Sequence, residues 1–207
     1  RPAAKKNYVD SENIAQIASR YIPAVCAKRF KNQALQVIEN QYYLIFDWLN
    51  GTTLKNNEIT VNQCSKIGET LAQIHSINFS TLDIDSKEYD YPLINWQHYL
   101  KKGKENNASW LDLFSKELEK IVTANQKAYS AFKQLSSNMT ISHGDLDPKN
   151  IMWHNNVPYV IDWESASFVN PMFDLLNTAI YWSSEDNDLI NESKFKGFLK
   201  SYNTLIP

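Results

Sequence analysis

The sequence predicts an α+β protein in which a small helix-plus-sheet portion is followed by a mainly helical one. Two observations carry this. Apolar residues recur at helical spacing over long stretches, most plainly from Thr60 to Ile74 and over 109–135. β-like runs are short and fall into two clusters, at 35–48 and 140–161.

The first expected helix covers 10–22, capped by Asp10 or Ser11, with Ile14, Ile17, Ala18 and Tyr21 on one face and Pro23 closing it. Runs 35–39 and 42–48 follow as strands, with Asn40-Gln41 as the tight turn between them. The second is nearly all apolar, which predicts a strand buried on both faces. Asn50-Gly51 breaks the pattern. Thr60 with Gln63 then has capping-box spacing, and Val61, Cys64, Ile67, Leu71 and Ile74 form the apolar face of the next helix. Residues 78–107 are polar and irregular, with one helix expected around 94–101. Beyond the helix at 109–135 come β-like pieces at 140–142, 151–153 and 157–161, the last two joined by a turn at Asn155-Asn156. Helices near 172–182 and 193–202 finish the chain.

Composition narrows the function classes. Of the 207 residues 43% are hydrophobic and 21% charged, as in folded globular chains. A formal net charge of −2 lacks the basic excess of a nucleic-acid platform. The longest apolar run, 42–46, is too short to span a bilayer, and no apolar segment follows the N-terminal basic residues. Cys26 and Cys64 form no C-x-x-C pair, which argues against a zinc site or disulfide framework and fits a reducing compartment. The expectation is a cytoplasmic protein with no nucleic-acid or membrane partner and an open oligomeric state.

The chemistry concentrates in Ser142-His143-Gly144-Asp145-Leu146-Asp147-Pro148-Lys149-Asn150, with Ile161-Asp162-Trp163-Glu164 downstream. Phosphoryl transfer to an alcohol needs alignment, charge neutralisation and one proton acceptor. Asp145 suits the acceptor's role. Asn150 offers a neutral amide oxygen and Asp162 a charged one, both hard ligands suited to magnesium. Singly, each has a plainer reading: Asp145 as a turn former, Asn150 as a cap, Asp162 as the end of a hairpin. Their joint spacing is what points to a site. His143 reads as a brace for the loop rather than as a base, and His75 as a hydrogen-bonded packing residue. A metallohydrolase would need a further His/Asp cluster, and the sequence has none at ligand spacing.

These residues resemble the aminoglycoside phosphotransferase and choline kinase family, within the protein-kinase-like fold. The likeness extends through Leu71-Ala72-Gln73-Ile74-His75, the hinge-like stretch from Tyr43 to Gly51, and Asn170-Pro171-Met172-Phe173-Asp174-Leu175. It covers residues 8–205 and implies a two-lobe architecture: 1–50 a partial N-lobe and hinge, 51–207 a helical C-lobe carrying the catalytic loop. The resemblance implies Asp145 as catalytic base and Asn150 and Asp162 as Mg2+ ligands. It also implies Phe46 as gatekeeper, backbone groups of Asp47 and Leu49 against the base of ATP (or GTP), and Met152 and Ile161 beneath the ring. For Met152 and Ile161, core packing is an equal alternative. Asp174 would be the buried acid that anchors the catalytic loop.

The chain also departs from the pattern. The family's fold begins with a glycine-rich loop and a strand lysine over the phosphates, yet no glycine precedes Gly51. The resemblance then implies a member lacking about three strands, with Arg1 the last trace of the lysine strand and with impaired activity of its own. Glu12 reads equally as the glutamate that would pair with that lysine or as a solvated helix residue. Asp147 stands where protein kinases carry a phosphate-binding lysine, which favours a small hydroxyl compound as acceptor. Asp147, Glu164, Glu185 and Asp186 could attract a cationic one (an aminoglycoside, choline or another amino alcohol), or could be solvated surface. The rival reading is a nucleotide-binding pseudokinase or scaffold without phosphotransfer.

Overall fold

The structure, a computed structural model, describes residues 2–84, 92–185 and 189–206, with side chains from residue 5 onward. It divides into two compact units, one formed by 1–87 with 140–207 and the other by 88–139.

In the first unit, α1 runs over Pro2–Ala18. The expected cap at Asp10 or Ser11 is therefore a correction: both lie inside the helix, and Ser11 Oγ donates to the Tyr8 carbonyl within it. Ile14 and Ala18 are buried as expected, but Tyr21 is 61% exposed because the helix ends before it. A hairpin follows, β1 (Gln36–Ile38) against β2 (Gln41–Tyr43). Its turn is Glu39-Asn40, one residue earlier than expected, with φ of 49° and 61°, the left-handed pair that a two-residue hairpin turn uses. The expectation of a doubly buried strand over 42–48 fails. Pairing stops at Tyr43, residues 44–50 form no strand, and Tyr42, Tyr43, Ile45 and Phe46 are all exposed.

Helix α2 (Val61–Ser76) keeps the expected capping box, Gln63 N donating to Thr60 Oγ1 and Thr60 N to Gln63 Oε1. Ile67, Leu71 and Ile74 are fully buried, each worth roughly 1.5–3 kcal/mol relative to exposure. Gly68 lets α6 (Glu192–Leu205) approach, since a Cβ there would collide with the backbone carbonyl of Phe198. Strand β3 (Thr140–Ser142) pairs antiparallel with β6 (Ser167–Val169), a strand the sequence reading lacks. β4 (Ile151–His154) and β5 (Val157–Val160) form a second hairpin, turning at Asn155-Asn156 with φ of 48° and 61°. Helix α5 (Pro171–Ser183) starts under the side chain of Asn170, which accepts from the N–H of Met172 and Phe173. The apolar core gathers α1, α2, α5, α6 and the inner residues of β3 to β5.

The second unit holds α3 (Trp96–Glu105) and α4 (Leu111–Leu135). Asn125 is buried on α4 and fully employed: its Oδ1 accepts from Ile94 N and Trp96 Nε1, and its Nδ2 donates to the Pro92 carbonyl. Arg1 and Asp186 lie outside the described residues. No helix among the described residues is long and apolar enough to cross a membrane.

Candidate functional site

The loop after β3 is held by contacts of His143, Gly144, Trp163 and Trp182. His143 is fully buried between two bonds: its Nε2 donates to the Ile161 carbonyl (2.9 Å) and its Nδ1 accepts from Asp145 N (3.3 Å). Accepting at Nδ1 while donating at Nε2 requires the neutral ring, and burial pulls its pKa below the ordinary imidazole value. Trp163 packs edge-on against it, ring centroids 4.8 Å apart. Gly144 sits at φ +74°, where a Cβ would also lie 2.8 Å from the Ser165 carbonyl oxygen. From α5, Trp182 Nε1 donates to the Leu146 carbonyl at 2.8 Å.

The next turn closes the loop on itself. Asp147 accepts from Lys149 N and caps a single helical turn, Pro148–Asn150. That turn carries Asn150 back onto Asp145. Asn150 Nδ2 donates both to the Asp145 carbonyl (2.8 Å) and to Asp145 Oδ2 (2.9 Å). Both amide hydrogens are thus spent on Asp145, and Asn150 Oδ1 is left to accept or coordinate. Ile161 N donates to the Asn150 carbonyl (3.0 Å), which ties the loop to the segment bearing Asp162. Asp162 follows β5 in a left-handed conformation (φ 60°, ψ 63°), and it is exposed.

A cavity of about 370 Å³ adjoins Asp162. Phe46, Asp47, Leu49, Met152 and Ile161 line it together with Asp162. Asp145 and Asn150 do not line it. Glu12 does, and its reading as a solvated helix residue is wrong: it is 4% exposed and its Oε2 accepts from Ala27 N (2.8 Å). Burial raises its carboxyl above the ordinary range, against the Ala27 bond and the Arg29 charge. The lining holds four acids (Glu12, Asp47, Asp162, Glu164) and, among its described residues, neither Lys nor Arg. Asp47 pairs with Lys28 at 2.6 Å.

Asp174 is buried, but its side chain bonds α2 rather than the loop: Oδ2 lies 3.0 Å from His75 Nε2, while His75 Nδ1 meets Tyr202 OH at 2.8 Å. The direct tie from α5 to the catalytic loop is Trp182. Among the acids expected to attract a cation, Glu185 is already engaged with Asn191 Nδ2 and lies 3.6 Å from Lys194. Sequence reasoning missed Lys149, whose Nζ stands 3.4 Å from Asp145 Oδ2 and 4.0 Å from Asp147 Oδ2. Its position four residues after Asp145, with a capped turn between, is the signal that could have found it.

Asn150 Oδ1 and the Asp162 carboxylate are hard oxygens of the kind that magnesium takes. No group of three or more His, Cys, Asp or Glu among the described residues could hold a metal.

The sequence profile of the phosphotransferase enzyme family (APH) matches residues 12–205. A LicA homolog of Metamycoplasma hominis is 27% identical over 172 residues, 80% of this chain and 58% of that protein. Among solved structures, choline kinase from Cryptosporidium parvum superposes with a TM-score of 0.58 at 18% identity, covering 95% of this chain and 61% of that one. Spectinomycin phosphotransferase in complex with ADP and spectinomycin gives 0.66 at 14% identity, covering 95% and 63%. The fold is the protein-kinase-like fold of these kinases, and the chain spans about three fifths of their length.

Proposed function

The chain belongs to the phosphotransferase enzyme family, and from that premise we propose that its protein transfers the terminal phosphoryl group of ATP, with Mg2+, to a hydroxyl of a small molecule. The observation that carries this reading is the double donation of Asn150 Nδ2 to Asp145. It pins one carboxylate oxygen and the loop beneath it, and keeps the other carboxylate oxygen for an incoming hydroxyl.

Asp145 is the proton acceptor. The acceptor's oxygen bonds to phosphorus as the bond from phosphorus to the bridging oxygen of the nucleotide breaks, and the hydroxyl proton passes to the carboxylate. Asn150 Oδ1 and Asp162 would hold Mg2+, which when bound supplies charge neutralisation at the phosphates. Phe46, Asp47, Leu49, Met152 and Ile161 would receive the nucleotide's base. His143 keeps the Asp145 backbone and the Ile161 carbonyl in register without touching substrate. The lobe division at 1–50 and 51–207, a cytoplasmic setting and a cationic acceptor such as an amino alcohol belong to the same proposal. Choline, ethanolamine and spectinomycin, named for relatives of similar fold, are the first acceptors to try.

The test is Mg2+-dependent phosphorylation by the full-length protein, followed as ADP release with each of those acceptors. Asp145→Asn should lower kcat by roughly 10²–10⁴-fold while nucleotide still binds. Unchanged turnover in that variant would remove Asp145 from the chemistry. Nucleotide binding without turnover in the parent protein, across a wider acceptor panel, would favour the pseudokinase instead.

A further inference from the structure

We propose that Lys149 is a catalytic residue, the cation that the loop itself supplies to the transferring phosphoryl group. The inference rests on the phosphotransferase reading above. Three observations lead to it.

First, position. Lys149 Nζ is 3.4 Å from Oδ2 of Asp145. An acceptor hydroxyl must sit within about 2.6–3.2 Å of that carboxylate, and the phosphorus within about 3–3.5 Å of the hydroxyl oxygen. The phosphoryl oxygens then fall within the sweep of a four-carbon side chain anchored four residues from the base. Asn150 restrains the same Oδ2, so the carboxylate is steadied from two sides and Oδ1 remains for the substrate.

Second, freedom. The Lys149 side chain is 65% exposed. Exposed pairs of this kind are held weakly and exchange partners readily. The ammonium can therefore leave the carboxylates for phosphate oxygens, which are stronger acceptors.

Third, charge. The cavity that would take the nucleotide is lined by four acids and by no Lys or Arg among its described residues. The described lining thus offers a triphosphate no side-chain cation. Lys149 is the basic residue of the catalytic loop itself. Lys149 Nζ also lies 4.0 Å from Oδ2 of Asp147, which stands where protein kinases have a lysine. The cation has in effect moved two residues along the chain.

The experiment compares Mg2+-dependent binding of ADP and of AMP-PNP to the full-length protein by calorimetry, for the parent, Lys149→Met and Lys149→Arg. Removing a charged contact to the terminal phosphate should weaken AMP-PNP by roughly tenfold or more and leave ADP unchanged. Lys149→Arg should keep most of the preference. An unchanged ratio in Lys149→Met overturns the inference. An equal loss for both nucleotides also overturns it, because the lysine would then act on the loop alone. If the parent binds neither nucleotide, the phosphotransferase reading itself fails, an outcome distinct from an altered ratio.

Discussion

Two hairpins in this chain use the same turn and end in opposite places. β1–β2 turns at Glu39-Asn40 and β4–β5 at Asn155-Asn156, each with two residues in the left-handed region. In the first, Val37 and Ile38 are more than half exposed. In the second, Ile151 and Val160 are fully buried. The difference lies at the edges. Thr52 exchanges backbone bonds with Trp153 on the outer side of β4, and Val160 bonds Pro23 and Val25 on the outer side of β5. β1–β2 has no comparable ladder on either edge among the described residues. Turn chemistry makes a hairpin, but flanking chain decides whether it becomes core. The loop that carries Asp145 runs into the covered hairpin, and a loop that is to hold a carboxylate in one place, as proposed for Asp145, needs that support.

The comparison can be broken by truncating matched isoleucines. Ile151→Ala should cost about 2–5 kcal/mol in urea unfolding, through lost burial and the cavity left behind, and should loosen Asn150 beside it. A cost below 1 kcal/mol would mean that β4 is not core.

A subtler probe is the brace beneath the loop. Burial keeps His143 neutral in the fold, so its folded pKa lies below that of the unfolded chain. Its contribution is present above the unfolded value near 6.5 and is lost as pH falls below it, because the unfolded state then binds the extra proton. The destabilisation caused by His143→Gln, read from melting curves, should therefore shrink by at most about 1.4 kcal/mol per pH unit below 6.5. A constant penalty from pH 7.5 to 5.5 would place the ring in another state. Smallest of all, Ile38→Ala on the exposed hairpin should stay within about 0.5 kcal/mol of the parent.

Much of the fold was legible because it rests on local rules. The capping box at Thr60 and Gln63 marked α2, the apolar spacing marked α4, and Asn155-Asn156 marked the second turn. Where the reading failed, a distant partner decided. Ser167–Val169 is too short to announce itself and is a strand only because β3 lies beside it. Residues 42–48 are apolar enough for a buried strand, yet among the described residues pairing stops at Tyr43 and Tyr42, Tyr43, Ile45 and Phe46 stay exposed. Asp10 and Ser11 can cap a helix, but the helical run simply continues to Pro2. Lys149 drew no reading of its own, because its contact with Asp145 depends on where a turn returns it.

The sequence by itself pointed to the class of chemistry proposed above, through Asp145, Asn150 and Asp162 at their spacings, and it marked most of the helical stretches. Tertiary structure alone decided what each polar group is free to do. It spent Asn150's hydrogens on Asp145, buried Glu12 in the cavity wall, turned Asp174 toward His75 and brought Lys149 to the base. Periodicity and propensity act between neighbours in the chain. Burial and a partner such as His75 for Asp174 are set by groups far away in the chain, while the contacts of Asn150 and Lys149 with Asp145 depend on the turn that returns them.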